Sequence, residues 1–286
     1  MIRRITDLAP YLDFIKDVQN DPDFADPMLV TEEEIECNLY KSAAKPDNRV
    51  WGVFRGDRIV GFFLFLVIPA EQYMEMIVGL SREIEAYDEL LSFLAENYPG
   101  YQADFVFNPR NDLLKERLAA RGATFEVEQL KMVYTHATPP VDVDSVELLS
   151  PRYHAGYLNM HTPDMYWTGD KVIAAPERFR TLVAVKDGEV IGYIDVTHCF
   201  QENEPYDLLV KAEYRRMGYG RRLLARALTL NEPNDMMLLV DIDNVAAIRL
   251  YESMGFIARP AENNLTVHWQ IPAQNADALA KERKSV

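Results

Sequence analysis

The stretch EYRRMGYGRRLL, residues 213–224, sets Arg215, Arg216, Arg221 and Arg222 around Gly218 and Gly220 in a chain whose formal net charge is -15. Arginines flanking a Gly-x-Gly suit anion binding if the glycines open a helix. The first backbone N–H groups of a helix lack intrahelical partners, and the helix dipole adds positive potential there. Glycine carries no Cβ to hold a phosphate away from those amides, and guanidinium groups add charge-assisted contacts to its oxygens. The same residues would also make an ordinary turn with a solvated basic face. The Gly-Lys-Ser/Thr ending of a Walker loop is missing, and the glycines are too few for a dinucleotide fingerprint.

The flanks give the loop its setting. YDLLVK (206–211) is a short apolar run of strand character, and Leu223, Leu224, Ala227 and Leu228 recur at helical spacing. The glycines therefore sit at a strand-to-helix turn, where an anion cradle would have to be.

At 286 residues, with 48% hydrophobic and 26% charged residues, the chain has the length of two soluble globular domains. Its acidity argues against a general nucleic-acid binder and favours a cationic small substrate. Cys37 and Cys199 cannot form a disulfide framework, and no Cys/His cluster has zinc-ligand spacing, which points to a reduced, cytoplasmic compartment and no metal. MIRRITDLAP lacks the apolar segment of a signal peptide. The longest apolar run, GFFLFLVIPA (61–70), is too short to span a bilayer, so no membrane attachment is expected.

Pro- and Asp-punctuated THATPPVDVDS (135–145) reads as a linker, with domains at 1–137 and 146–272, a linker at 138–145 and a polar tail at 273–286. The halves share one order of elements. A short strand (IRRIT; VELLS) precedes two helical stretches, YLDFIKDVQ and EEEIECNLYKSA in the first half and about 152–160 and 170–179 in the second. Hairpins follow, turning at Gly56-Asp57 and at Asp187-Gly188. YMEMIVGL parallels YDLLVK, and ADFVFN parallels MMLLVDI. Asn111 leads a helix ending near Gly122, and Asn244 one ending near Gly255, eleven positions on in each case. Both halves close with alternating strand signal, TFEVEQLKMVY and NLTVHWQI. An internal duplication accounts for this order.

The second half resembles the GNAT superfamily of N-acetyltransferases. Arg215-Arg216-Met217-Gly218-Tyr219-Gly220 matches the Arg/Gln-x-x-Gly-x-Gly/Ala cofactor motif, and NVAAIRLYESMGF, Asn244 to Phe256, matches the family's second motif. The resemblance implies an α/β fold of mixed sheets with flanking helices, as two tandem GNAT-like domains. In the first half the matching loop reads GLSREIEAYDELL, without Gly-x-Gly and with acidic residues crowding the helix start, and Leu118 stands in the place of Tyr251. An anion would be repelled there, so the first domain is expected to be a degenerate copy without the cofactor site.

What the resemblance implies for chemistry is an acetyl-CoA donor in a cleft between splayed parallel strands. Leu208, Leu209 and Val210 would pair with the pantetheine arm as an added strand would. Amides from Arg216 to Arg221 would hold the pyrophosphate, and Asn244 would contact the CoA arm. An amine attacks the thioester directly, which requires a base, an oxyanion donor and an acid. Tyr251 is the candidate acid, since a phenol with pKa about 10 lies near a thiol leaving group; it also belongs to the cofactor motif. The backbone N–H of Val210 is the candidate oxyanion donor. Asp207 and Glu204 are the candidate bases, with Asp195 and His198 as further options.

Acceptor selection is expected from MHTPDMYWTGDKV (160–172), where His161, Tyr166 and Trp167, with Asp164 and Asp170 nearby, would suit a small cationic amine. The same aromatic side chains would also serve to pack the loop on the core. Two other functions stay open: a peptide or protein N-acetyltransferase, and a non-catalytic acyl-CoA sensor or scaffold. The duplication favours a monomer.

Overall fold

The computed structural model describes residues 1–161 and 166–273. Asp164, one of the expected acceptor residues, and nearly all of the expected polar tail lie outside them. The chain forms two compact units, residues 1–129 with 261–286 and residues 130–260.

In the first unit the strands are β1 (Ile2–Ile5), β2 (Asn48–Arg55), β3 (Arg58–Ile68), β4 (Tyr73–Ser81), β5 (Gln102–Phe107) and β6 (Thr124–Phe125). Its helices are α1 (Leu12–Gln19), α2 (Glu32–Glu34), which continues as a π-helical stretch over Ile35–Lys41, α3 (Ile84–Asn97) and α4 (Asp112–Ala119). The chain's last strand, Leu265–Gln270, pairs antiparallel with both β5 and β6 and completes a seven-stranded sheet. β4 and β5 run parallel, but their register extends only from Tyr73–Gln102 to Met76–Phe105, and beyond Met76 they separate. One apolar core packs α3 and α4, through Tyr87, Leu90, Leu94 and Leu114, on the sheet residues Phe63, Phe65 and Phe105.

The second unit holds β7 (Gln129–Tyr134), β8 (Val146–Leu148), β9 (Phe179–Lys186), β10 (Glu189–Thr197), β11 (Glu202–Asn203), β12 (Pro205–Val210), β13 (Asp235–Asp241) and β14 (Phe256–Ala258). Its helices are α5 (His154–Leu158), α6 (Gly169–Ala174), α7 (Tyr219–Asn231) and α8 (Val245–Glu252). Here the strands fall into two four-stranded sheets, ordered β12-β10-β9-β8 and β11-β13-β7-β14. The break between β12 and β13 is the feature that makes room for a ligand. Leu223, Leu224, Ala227 and Leu228, the helical stripe of α7, are buried against Ile191, Ile194 and Leu238.

The domain limits differ from 1–137 and 146–272. Residues 130–137 belong to the second unit and 261–272 to the first. What read as one closing strand, TFEVEQLKMVY, is two strands in different units, and NLTVHWQI, here β15 (Leu265–Gln270), closes the sheet of the first. The stretch at 138–145 is no linker between units, since Val141 and Val143 pack on the second unit's own core. The helical reading of 170–179 was too long: α6 stops at Ala174, two residues before Pro176.

The duplication has a local signature. Asn111 accepts from the Leu114 N–H at 3.1 Å to cap α4, and Asn244 accepts from the Ala247 N–H at 3.2 Å to cap α8. Gly122 and Gly255, which follow those helices, hold φ of 74° and 90°.

Candidate active site

Between β12 and α7 the backbone turns through two left-handed residues, Arg216 (φ 64°) and Gly218 (φ 87°), the latter the N-cap of α7. No side chain caps this helix, so its first amides are open to a ligand. A Cβ built on Gly218 would meet no atom within 4 Å, and one on Gly220 would approach Leu250 at 3.4 Å and Leu208 at 3.7 Å. Gly218 thus supplies conformation and Gly220 keeps the cleft wall thin.

A cavity of about 790 Å³ opens on this turn. Its walls include Leu208, Leu209 and Val210 of β12, the loop residues Arg215, Arg216, Gly218, Tyr219, Gly220 and Arg221, and Asn244 at the start of α8. Lys211 donates its N–H to Ile191 of β10. Alternate amides of an antiparallel strand face opposite edges, so the Val210 and Leu208 N–H groups face away from β10 and into the break. Arg215 is partly committed, its Nε donating to the Val210 carbonyl at 3.0 Å. Arg216 and Arg221 are exposed and make no ion pair among the described residues, which leaves them for an anionic group. An open helix start, amides and free guanidinium groups together fit a pyrophosphate and an extended arm.

The side chains of two residues expected to contact the cofactor do not line this cavity. Met217 is 59% exposed and absent from the cavity wall, because the left-handed residues on either side turn its side chain to solvent. Tyr251 follows Leu250, the last wall residue on α8, and packs against Phe256 with ring centroids 5.8 Å apart. Sequence reading missed the other wall residues on α8: Val245, Ala246 and Ala247, whose small side chains in the first turn let the helix border the cleft closely, and Arg249 one turn on.

Tyr251 lies close enough to Asp207 and Glu204 to feel both charges. Burial, reinforced by those two carboxylates, pushes its phenol up to about 12, above the ordinary 10. It is therefore a fully protonated donor at neutral pH, though a worse match to a thiol than an unperturbed phenol. Burial raises Glu204 to about 7, opposed by the nearby Arg178 guanidinium. Asp207 is also raised, first by burial, against the Tyr193 hydroxyl that donates to it and with the Asp195 charge adding to the rise. A carboxyl near 7 can take a proton at physiological pH and release it again.

Asp195 does not reach the cleft. It is fully buried and accepts from Tyr157 at 2.9 Å, Thr181 at 2.5 Å and His161 at 3.0 Å. His161, expected at the acceptor wall, has a side chain only 4% exposed and stacks on Tyr193 at 4.6 Å, so it orders the core beneath Asp207. His161, Asp195 and Asp207 do place one nitrogen and two carboxylate oxygens within 4.8 Å of one another, a donor set a cation could use. In this structure those oxygens are engaged by hydroxyls and the imidazole. His198 bonds the Pro176 carbonyl at 2.9 Å and borders a separate 370 Å³ cavity with Phe179 and Thr181. Tyr166 is 75% exposed under Lys171, whereas Trp167 packs edge-on against Phe179 at 4.9 Å.

The break between β12 and β13, with a phosphate-fitting turn at its mouth, is the decisive geometry. Residues 145–256 match the acetyltransferase (GNAT) family. The chain carries a GNAT acetyltransferase domain. Solved structures extend the likeness to nearly the whole chain. A GCN5-related N-acetyltransferase from Sphaerobacter thermophilus superposes with a TM-score of 0.64 at 12% identity, covering 96% of this chain and 97% of that one. A tandem GNAT protein from the clavulanic acid biosynthesis pathway gives 0.57 at 14% identity, covering 96% and 99%. The glucosamine N-acetyltransferase region of a fungal multi-domain GH3 β-N-acetylglucosaminidase gives 0.60 at 11% identity, covering 94% of this chain and 38% of that one. No curated protein matches in sequence. The GNAT fold is one that binds acetyl-CoA, and its acetyltransferase class fits this cleft. Among the described residues no helix is long and apolar enough to cross a membrane.

In the first unit the equivalent strand is met by the unit's own side chains. Gly61 of β3 faces Ser81 as Gly192 of β10 faces Val210, so Gly79 stands where Leu208 does. The Gly79 N–H donates to buried Asp26 at 2.7 Å. Tyr87 donates to the Ser81 carbonyl at 2.8 Å and accepts from Asn111 at 2.7 Å. Glu83 occupies the start of α3, paired with Arg58 at 2.9 Å. Two backbone groups on the edge that would receive an acyl-CoA arm, the Gly79 N–H and the Ser81 carbonyl, are thus already engaged, and a carboxylate sits where a phosphate would have to approach.

Proposed function

We propose that the protein transfers an acetyl group from acetyl-CoA to the primary amine of a small molecule, in the cleft of the second unit. The observation that carries this reading is Tyr251, on the helix that borders the cavity at Gly218, within reach of the charges of two raised carboxyls, Asp207 and Glu204. Acetyl-CoA supplies an activated acyl carbon as its thioester. Arg216, Arg221 and the first amides of α7 hold the phosphates, and the outward amides of β12 align the arm. Glu204 or Asp207 takes a proton from the acceptor's ammonium. The neutral nitrogen then forms the C–N bond as the C–S bond breaks, with the Val210 N–H bonding the carbonyl oxygen as it gains charge. Tyr251 gives its proton to the departing sulfur, the acylated nitrogen loses its second proton to solvent to become the amide, and the proton taken by the carboxyl restores the phenol. The products are an amide and CoA thiol.

Calorimetric titration of acetyl-CoA into the wild type and a Gly218→Glu/Gly220→Glu variant, together with CoA-thiol release over an amine panel, tests the reading. One site per chain, lost in the variant, with amine-dependent release is the expected result. Binding without release from any amine would leave a sensor instead, and no binding would end the transferase reading.

A further inference from the structure

Arg178 ends the segment that leads into β9 and is the cation the acetyl-transfer chemistry does not use. Its guanidinium carbon lies 5.1 Å from the Trp167 ring centre, 5.5 Å from Phe200 and 5.6 Å from Phe179. Its Nε is buried and has no acceptor, and among the described residues no hydrogen bond or ion pair engages the rest of the group. A guanidinium has five donors in a rigid fork that matches a carboxylate, and leaving it unpaired among aromatic faces is costly. Surface arginines are solvated on all sides; this one has rings where water or an acid would be.

Its position ties it to the reacting groups. The Arg178 guanidinium opposes the effect of burial on the Glu204 carboxyl, and it is felt by Tyr206, whose hydroxyl receives the Trp167 backbone N–H and whose ring meets Phe179 at 5.8 Å. Tyr206 precedes Asp207, and Glu204 and Asp207 are the two charges felt by Tyr251. An aromatic-walled cation thus stands on the acceptor side, beside the acids that would receive an ammonium.

Resting on the acetyl-transfer reading, we infer that the acceptor is an amino carboxylate, whose carboxylate forks onto Arg178 while its amine lies by Glu204 and Asp207. The aromatic faces of Trp167, Phe179 and Phe200 take the acceptor's apolar body. An acceptor with a second positive charge, such as a polyamine, would bring that charge against the guanidinium. The carboxylate belongs either to a free amino acid or to the end of a short peptide.

The test is kcat/KM for matched pairs differing only in the carboxylate: L-phenylalanine against 2-phenylethylamine, 4-aminobutyrate against butylamine, and Gly-Phe against its amide. The wild type should favour the carboxylate-bearing member of at least one pair by about 10-fold or more. The preference should fall towards unity in Arg178→Met and persist in part in Arg178→Lys. Because each ratio is taken within one variant, loss of folded protein cancels. The pair that shows the preference tells a free amino acid from a peptide end. A wild-type ratio at or below unity for every pair, or one unmoved in Arg178→Met, overturns the assignment. If no amine releases CoA thiol, it is the acetyl-transfer reading that fails. Arg178 is then judged by calorimetry with N-acetyl-L-phenylalanine against N-acetyl-2-phenylethylamine: selective binding lost in Arg178→Met supports the carboxylate site, and equal or absent binding overturns it.

Discussion

Arg216 and Gly218, two residues apart, both hold left-handed backbone, with Met217 between them turned to solvent. That pairing aims the first amides of α7 at the cleft and separates what the two motif glycines do. In Gly218→Ala the new Cβ has room but the left-handed backbone costs about 1–2 kcal/mol, so acetyl-CoA affinity should drop roughly 10-fold as the turn relaxes. Gly220→Ala, with no positive φ and a position inside α7, should leave the fold as stable or more stable by up to about 1 kcal/mol. Its Cβ narrows the wall between Leu250 and Leu208, so only affinity should suffer. Calorimetry and thermal unfolding on both variants check the contrast.

Tyr251 sits behind the cavity wall, and its removal should act on rate alone. Tyr251→Phe is expected to lower kcat by about 10²–10⁴, the usual worth of a general acid, while acetyl-CoA affinity changes less than about 2-fold. Steady-state kinetics paired with a binding titration reads both. Equal losses in kcat and affinity would mean that the ring holds cofactor instead.

Glu204, raised to about 7, should write its ionisation into the pH profile. A base must be deprotonated to act, so kcat/KM should climb about 10-fold per pH unit below 7 and level off above it. The alkaline fall expected of Tyr251 lies near 12, outside the working range. In Glu204→Gln the limb near 7 should vanish along with most activity. Should the limb survive in Glu204→Gln and disappear in Asp207→Asn, the proton goes to Asp207.

The cleft was legible in the sequence wherever its determinants are local. Gly218 and Gly220 mark the turn, the Asp187-Gly188 pair carries the two positive φ values of its hairpin, and Asn244 caps the helix that borders the cavity. What depends on distant pairing was not. The alternation at 265–270 tells which face is apolar, and it says nothing of which strands lie alongside, so the placement of β15 between β5 and β6 was invisible. Arg178 was missed for a similar reason: its rings come from positions 167, 179 and 200, and no spacing links them. His161 read as an acceptor residue because a loop histidine beside aromatics looks exposed; the stacking on Tyr193 and the bond to Asp195 put it inside.

Asp26 offers a stability measurement that reports on the filled strand of the first unit. Its carboxylate accepts from the Met28 N–H at 2.9 Å and the Gly79 N–H at 2.7 Å, yet burial outweighs those bonds and raises it from 3.8 to about 7. Between those two pH values the unfolded chain has lost this proton while the folded chain keeps it. Stability contributed by the group therefore falls as pH rises through that window, by about 1.4 kcal/mol per unit, and stays at its lower level above 7. Asp26→Asn cannot titrate, but its single carbonyl oxygen can serve only one of the two amides. The variant should be the less stable protein near pH 4 and should gain on the wild type steadily up to pH 7. Urea unfolding of both proteins at half-unit intervals reads that difference. A gap that stays constant across the window would mean that Asp26 remains ionised in the fold, with its two amide bonds outweighing burial.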